Sequence, residues 1–322
     1  MKLMSIVTPC YNEEGNVEEL YKKIKDVASS LENYRYEHIY IDNASTDGTQ
    51  EIIKAIAAQD SHVRLIINNR NFGHIRSPVH GMLQAHGDAV IIMASDLQDP
   101  PSLIPQFVQK WEEGFCVVVG QKAQSEESSL FFFARCCYYR LVNRLAEVEL
   151  LENVTGFGLY DQKVIQMFRE IDDPYPYVRG LISELGYPVE RIVYTQPKRK
   201  RGFTKNNFYT LFDMAMLGLT SHSKVPLRIA TMMGFTLSFF SFVIAVGYLI
   251  AKIFFWRSFE FGLAPIIIGL FLFSSVQLFF IGMVGEYIGF IHTQILKRPL
   301  VTEKERVNFE NDERHETYET HI

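Results

Sequence analysis

Positive charge is in short supply in this chain: 32 lysines and arginines stand against 37 aspartates and glutamates, for a formal net charge of −5. A surface with that balance argues against general nucleic-acid binding, which needs a basic face. Cysteine is also scarce. Cys10, Cys116, Cys136 and Cys137 form no CxxC or metal-type spacing, and the adjacent Cys136 and Cys137 are badly placed to pair with each other. The expectation is reduced thiols in a cytosolic compartment. No GxxxxGK[ST] and no GxGxxG occurs, so neither a P-loop nor a Rossmann turn is available to hold phosphate. The apolar run of Met1 to Cys10 is short and interrupted by Pro9. It lacks the form of a secretory leader, and the amino-terminal part is expected to stay on the side where it is made.

Charge is missing altogether from two stretches. Ile229 to Ala251 is an uncharged run of 23 residues, which as a helix spans roughly 34 Å, enough for a hydrocarbon core. Phe261 to Gly285 is a second such run, and Glu286 follows it. Only Lys252 to Glu260 separates the two, so the pattern predicts a helical hairpin across a bilayer. Lys224 and Arg228 precede it and Lys297 and Arg298 follow it, which favours both ends being cytoplasmic. Before it, Phe208 to Leu219 is apolar and Lys198 to Lys205 is strongly basic. That order reads as a helix lying in the membrane interface, with a plain packed helix as the alternative. Gly234, Gly269, Gly282, Gly285 and Gly289 would permit close approach of helices, including those of a second copy.

The first two hundred residues alternate between two periods. Met4 to Thr8, His38 to Ile41, Val63 to Ile67, Ala89 to Met93 and Cys116 to Val119 read as strands. Val17, Leu20, Ile24, Val27 and Leu31, and then Ile52, Ile53, Ile56 and Ala57, recur at helical spacing. Such alternation implies an α/β fold with a mainly parallel sheet flanked by helices, whose ligands bind beyond the carboxyl ends of the strands.

Three of those strand ends are rich in acids and amides. They are Pro9-Cys10-Tyr11-Asn12-Glu13-Glu14, Asp42-Asn43-Ala44-Ser45-Thr46-Asp47-Gly48-Thr49 and Ala94-Ser95-Asp96-Leu97-Gln98-Asp99-Pro100. Such groups suit a ligand offering ring N–H and hydroxyl donors, and a hard divalent ion such as Mg²⁺ or Mn²⁺. A plainer reading stands beside this one: Asp47 as a helix cap and Asp99-Pro100 as a turn.

The ordered set TPCYNE, DNASTDGT, SDLQDPP, TGFGLYD and RGFTK resembles the family 2 glycosyltransferases of GT-A fold. Within them the chain is similar to the polyprenyl-phosphate group that includes dolichol-phosphate mannosyltransferases and bactoprenol glucosyltransferases. The resemblance implies that Pro9, Tyr11, Glu13, Asp42 and Asp96 line the nucleotide pocket. It also implies that Asp96 and Gln98 hold the metal, and that Arg199, Arg201 and Lys205 lie near phosphate groups, with Asp96, Arg199 and Arg201 the catalytic set. Two departures stand out: Ala94 replaces the first acid of the DxD-type motif, and Gly156 stands where many relatives carry an acid. A lipid phosphate, largely dianionic at neutral pH, needs no general base. For a hydroxyl acceptor, Asp161 or Asp99 would be the candidates.

The implied activity is inverting transfer from a UDP- or GDP-linked sugar to a membrane polyprenyl phosphate, at the cytoplasmic face of the inner membrane. Transfer to another lipid or glycan is the alternative. Processive polysaccharide synthesis is disfavoured by the absence of QxxRW and by the two spans. A nucleotide-binding scaffold without catalysis is a third reading, given Ala94 and Gly156. The expected organisation is a catalytic domain over 1–205, an amphipathic juxtamembrane helix over 206–228, the hairpin over 229–293 and a polar tail over 294–322, mobile from Thr302 to Ile322. Arg135, Arg140 and Arg144, amid Phe131 to Phe133 and Tyr138-Tyr139, would meet the acceptor phosphate or form a solvated helix face. His74, Arg76 and His80 would touch the donor diphosphate or simply pack.

Overall fold

The computed structural model describes residues 1–123, 154–197, 216–217, 225–254 and 263–309. Two units are distinguished: 1–134 with 150–207 and 296–322, and 135–149 with 208–295.

The first unit is built on one sheet. Its strands are β1 (Lys2–Cys10), β2 (Tyr34–Asp42), β3 (Val63–Asn68), β4 (Ala89–Ile92), β5 (Val117–Lys122), β6 (Val154–Asp161), β7 (Val189–Tyr194) and β8 (Glu303–Val307). They lie in the order β7-β5-β6-β4-β1-β2-β3-β8. The five predicted strands all form, each within a few residues of its expected bounds. β1, β2, β3 and β4 are mutually parallel, so their carboxyl ends share one edge. β6 runs antiparallel between β4 and β5.

Helices α1 (Val17–Ser29), α2 (Thr49–Gln59), α3 (Gly73–Gln84), α4 (Ile104–Glu112), α5 (Gln162–Ile171) and α6 (Val178–Leu185) cover the sheet. Strands buried on both faces read as continuous apolar runs, and successive side chains go to opposite faces. Val7 accordingly joins the cluster of Ile39, Ile41, Ile66 and Val79. Ile6, its neighbour, joins that of Leu20, Ile24, Ile91 and Phe107. α3 lies so close to β1 and β2 that a Cβ at Gly81 would sit 2.8 Å from Val7 Cγ1 and 3.2 Å from Ile41 Cγ2. Only a residue without a side chain fits that approach.

The polar tail does not run free. Its residues Glu303–Val307 form β8, antiparallel on the edge of β3, with Leu65 opposite Val307 and Asn68 opposite Glu303. Glu303 pairs with His80 and Arg306, Lys54 with Glu305 at 2.6 Å, and the Asn308 amide donates to the Ala57 and Val63 carbonyls at 2.8 Å each. Charged composition predicted mobility over this stretch; through-space pairing with β3 decides otherwise. Residues beyond 309 lie outside the described set.

The second unit contains α7 (Val225–Phe254) and α8 (Leu263–Ile295). Both are long and apolar enough to cross a membrane, and their most apolar stretches are not buried. Phe235, Phe239, Phe242, Phe271 and Phe279 all stand exposed. The proposed interfacial helix at 208–219 lies outside the described residues except for Met216 and Leu217.

Candidate functional site

The carboxyl edge of β1, β2 and β4 carries the three acid-rich loops, and hydrogen bonds join the first two. The Asn12 N–H donates to Ser45 Oγ at 2.8 Å, and Asn12 Oδ1 accepts the Thr46 N–H at 2.8 Å. The Glu13 N–H donates to Thr49 Oγ1 and the Gly48 N–H to Glu14 Oε2, each at 2.8 Å. Each loop holds one non-glycine residue at positive φ: Asn12 at 55°, Ala44 at 60° and Leu97 at 59°. Such conformations persist where surrounding bonds over-determine them, and they concentrate at ligand sites. Pro9, Tyr11, Glu13, Asp42, Asp96 and Gln98 are thus brought to one edge, as expected for strand-end residues.

Their states differ. Asp42 is fully buried, and its Oδ2 accepts from the Ser45 N–H at 2.9 Å and the Gln50 amide at 2.7 Å. Glu13 Oε2 accepts from the Asn16 amide at 2.6 Å. Beside Asp42, burial and then the neighbouring carboxylate push the Cys10 thiol well up, so it stays protonated.

Asn43 is the organiser that residue-by-residue reading missed. Its amide donates to Asn71 Oδ1 at 2.9 Å and to the Gly73 carbonyl at 3.2 Å. Its own Oδ1 accepts from the Phe72 N–H at 2.9 Å and the Asn68 amide at 3.2 Å. One side chain therefore ties the end of β2 to the turn that begins α3. The available signal was an amide directly after a strand-end acid.

In the third loop Asp99 is withdrawn from chemistry. It is buried; Oδ2 accepts the Ala94 N–H at 3.0 Å and Oδ1 accepts the Tyr194 hydroxyl at 3.1 Å. Burial, reinforced by Asp96, pushes its pKa up to about 6 against those two donors. It staples the loop shut. Asp96 accepts the Gln98 N–H at 3.1 Å, and the Gln98 amide nitrogen faces the Pro197 carbonyl at 3.4 Å. No group of three His, Cys, Asp or Glu among the described residues is placed to hold a metal ion. One carboxylate suffices for Mg²⁺ only when substrate phosphates and water complete the shell. Asp96, with the Gln98 amide oxygen, fits that limited role.

Asp161 is at the opposite edge. It lies level with Ala89, the first residue of β4, caps α5 through the Lys163 N–H at 2.9 Å and accepts from Trp111 Nε1 at 2.7 Å. As a base for chemistry at the strand ends it is excluded by position. Gly156, by contrast, sits at the functional edge at φ +94° with open space where a Cβ would be. His80 faces Glu303 on β8 and not a diphosphate. Arg135, Arg140, Arg144, Arg199, Arg201 and Lys205 lie outside the described residues.

Comparison with known proteins gives this architecture a family. The glycosyl transferase family 2 profile matches residues 5–168. The chain is 32% identical to the glycosyltransferase YkcC of Bacillus subtilis, over 95% of each chain. It is 31% identical to the SfII prophage-derived bactoprenol glucosyl transferase of Shigella flexneri, over 92% of this chain and 96% of that one. Among solved structures, glucosyl-3-phosphoglycerate synthase from Mycobacterium tuberculosis shares 20% identity at a TM-score of 0.47, covering 68% of this chain and 78% of that one. The chain belongs to glycosyl transferase family 2 and is a glycosyltransferase.

Proposed function

We propose that this glycosyltransferase moves a sugar from a nucleoside-diphosphate donor to a polyprenyl phosphate held in a membrane, with inversion at the anomeric carbon. The observation that carries the reading is the union in one chain of an acid-lined strand edge with two long helices whose apolar side chains face outward. Exposed apolar area on that scale is unfavourable in water and favourable in lipid. The bactoprenol glucosyl transferases that align over nearly the whole chain support the same acceptor class.

The donor's base and ribose lie against Pro9, Tyr11 and Glu13, where a carboxylate can accept from ring N–H and hydroxyl groups, while the buried Asp42 fixes the loop of that pocket through Ser45 and Gln50. Asp96 and Gln98 would hold a divalent ion, Mg²⁺ or Mn²⁺, which would supply charge neutralisation to the leaving diphosphate. The acceptor phosphate oxygen forms a bond to the anomeric carbon as the bond from that carbon to the diphosphate oxygen breaks. No proton moves, because the nucleophile is already an anion. Asp161 lies at the other edge and Asp99 is buried in its staple, so neither of these two candidate bases is placed to deprotonate a hydroxyl acceptor. The chain's remaining task is alignment and charge stabilisation.

Purified protein in detergent, given labelled UDP- and GDP-sugars with undecaprenyl phosphate, is expected to form a lipid-linked sugar with one donor. No product with any donor would sink the proposal. Nucleotide binding without turnover would instead favour a scaffold that has lost catalysis through Ala94 and Gly156.

A further inference from the structure

One cation near the functional edge has no counter-charge among the described residues. Arg76 stands on the first turn of α3, one turn from Gly73, whose carbonyl accepts from Asn43. Its guanidinium lies over the ring of Tyr175, 5.2 Å from the centroid. Its Nε is buried with no hydrogen-bond partner. A guanidinium desolvated on one side and stacked on an aromatic ring is held rigid, with its fork pre-set for a planar or tetrahedral anion.

The surroundings share its sign. Arg179 stands on the first turn of α6, and its charge reaches His74 and Tyr160. Burial, with that charge added, holds His74 below the ordinary imidazole range. The Tyr160 hydroxyl donates to the Gly156 carbonyl at 2.9 Å, which fixes the corner of β6 where Gly156 leaves open space. Neither α3 nor α6 has an acid in its first turn, and neither is capped by a side chain. Both helix starts therefore add positive potential. Asp173, the nearby acid in sequence, accepts the Tyr175 N–H at 2.8 Å. The rest of the edge, at Glu13, Asp42, Asp47 and Asp96, is acidic.

We infer that Arg76, braced by Tyr175 and seconded by Arg179, forms a phosphate-binding site beside Gly156 that takes the phosphate monoester of the acceptor lipid. The inference rests on the acceptor class proposed above. A donor diphosphate has the same chemistry, so the test must separate the two sources.

Full-length protein in detergent is titrated with farnesyl phosphate, with farnesol and with UDP, using wild type, Arg76→Gln, Arg76→Lys and Tyr175→Leu. Arg76→Gln is expected to weaken farnesyl phosphate binding about tenfold or more, as loss of a charge-assisted fork does. Arg76→Lys recovers part of the loss, Tyr175→Leu shows a smaller one, and UDP and farnesol binding stay within about twofold. Unchanged farnesyl phosphate affinity in an Arg76→Gln protein that melts like wild type overturns the site. An equal loss of UDP affinity also overturns it, by assigning Arg76 to the donor. If wild type binds farnesyl phosphate through Arg76 yet never forms a lipid-linked sugar, the reaction proposed above fails while this site stands.

Discussion

His80 on α3 and Glu303 on β8 are hydrogen-bonded across 223 positions of sequence. Glu303 also receives Arg306, and the backbone at Thr302 and Glu303 accepts from Asn69 at 2.9 and 3.0 Å. The strand that follows the second apolar helix is therefore bonded to the turn that Asn43 organises.

Removing that tie should loosen the first unit. Its partners hold the Glu303 carboxyl down at about 2 despite burial. A depressed carboxylate stabilises above its unfolded pKa, near about 4.5, and loses that contribution as pH falls towards about 2. Glu303→Gln is expected to lower the melting temperature at neutral pH. The gap to wild type should shrink below about pH 4, as differential scanning fluorimetry in detergent would show.

His38 should add a second acid sensitivity of the same sign at higher pH, through protonation of a site that cannot accept charge. It is buried, with Nδ1 unpartnered and Nε2 bonded to Thr8 Oγ1 at 2.9 Å, and burial pulls its pKa down to about 3. The unfolded chain takes up the proton at about 6.5, so stability falls as pH drops from there, by about 2 kcal/mol between pH 6.5 and 5. His38→Gln should flatten that interval in a thermal-melt series.

Asn43→Ala should cost stability and donor affinity together. It strips partners from Asn68, Asn71 and the Phe72 N–H, a loss of about 1–3 kcal/mol for buried groups left unpaired. The KM for the nucleotide sugar is expected to rise more than kcat falls. A fall in kcat at constant KM would contradict its role as organiser of the donor loops.

Asp96 and Asp161 should separate cleanly in kinetics. Asp96→Asn is expected to reduce kcat by about 100-fold or more and to weaken the response to added Mg²⁺ or Mn²⁺. Asp161→Ala should lower the melting temperature, through loss of the α5 cap and the Trp111 bond, and leave kcat/KM of the folded protein near wild type. Ala94→Asp tests the missing acid: a lower metal concentration for half-maximal activity is the expected result.

Much of this molecule could be read locally. Strand ends follow from short apolar runs closed by polar residues, so Asp42 and Asp96 could be assigned to one edge from the sequence alone. The two apolar helices follow from length and lack of charge. β6 was not foreseen, because a strand inserted antiparallel between β4 and β5 leaves no local mark. Nor was β8, since Glu303 to Arg306 looks like solvated tail until His80 and Lys54 are beside it.

The residue sequence by itself determined the α/β class, the acid-bearing loops and the apolar pair of helices, because each depends on periodicity or composition within a short window. Tertiary structure alone decided which acids remain available. Asp99 and Asp161 are both strand-adjacent aspartates, yet Tyr194 and Ala94 occupy one, and Trp111 and Lys163 occupy the other at the wrong edge. A carboxylate's chemistry is set by which groups take its lone pairs and how far it is desolvated. Tyr194 and Trp111 come from 95 and 50 positions away in the chain, beyond the reach of any local pattern.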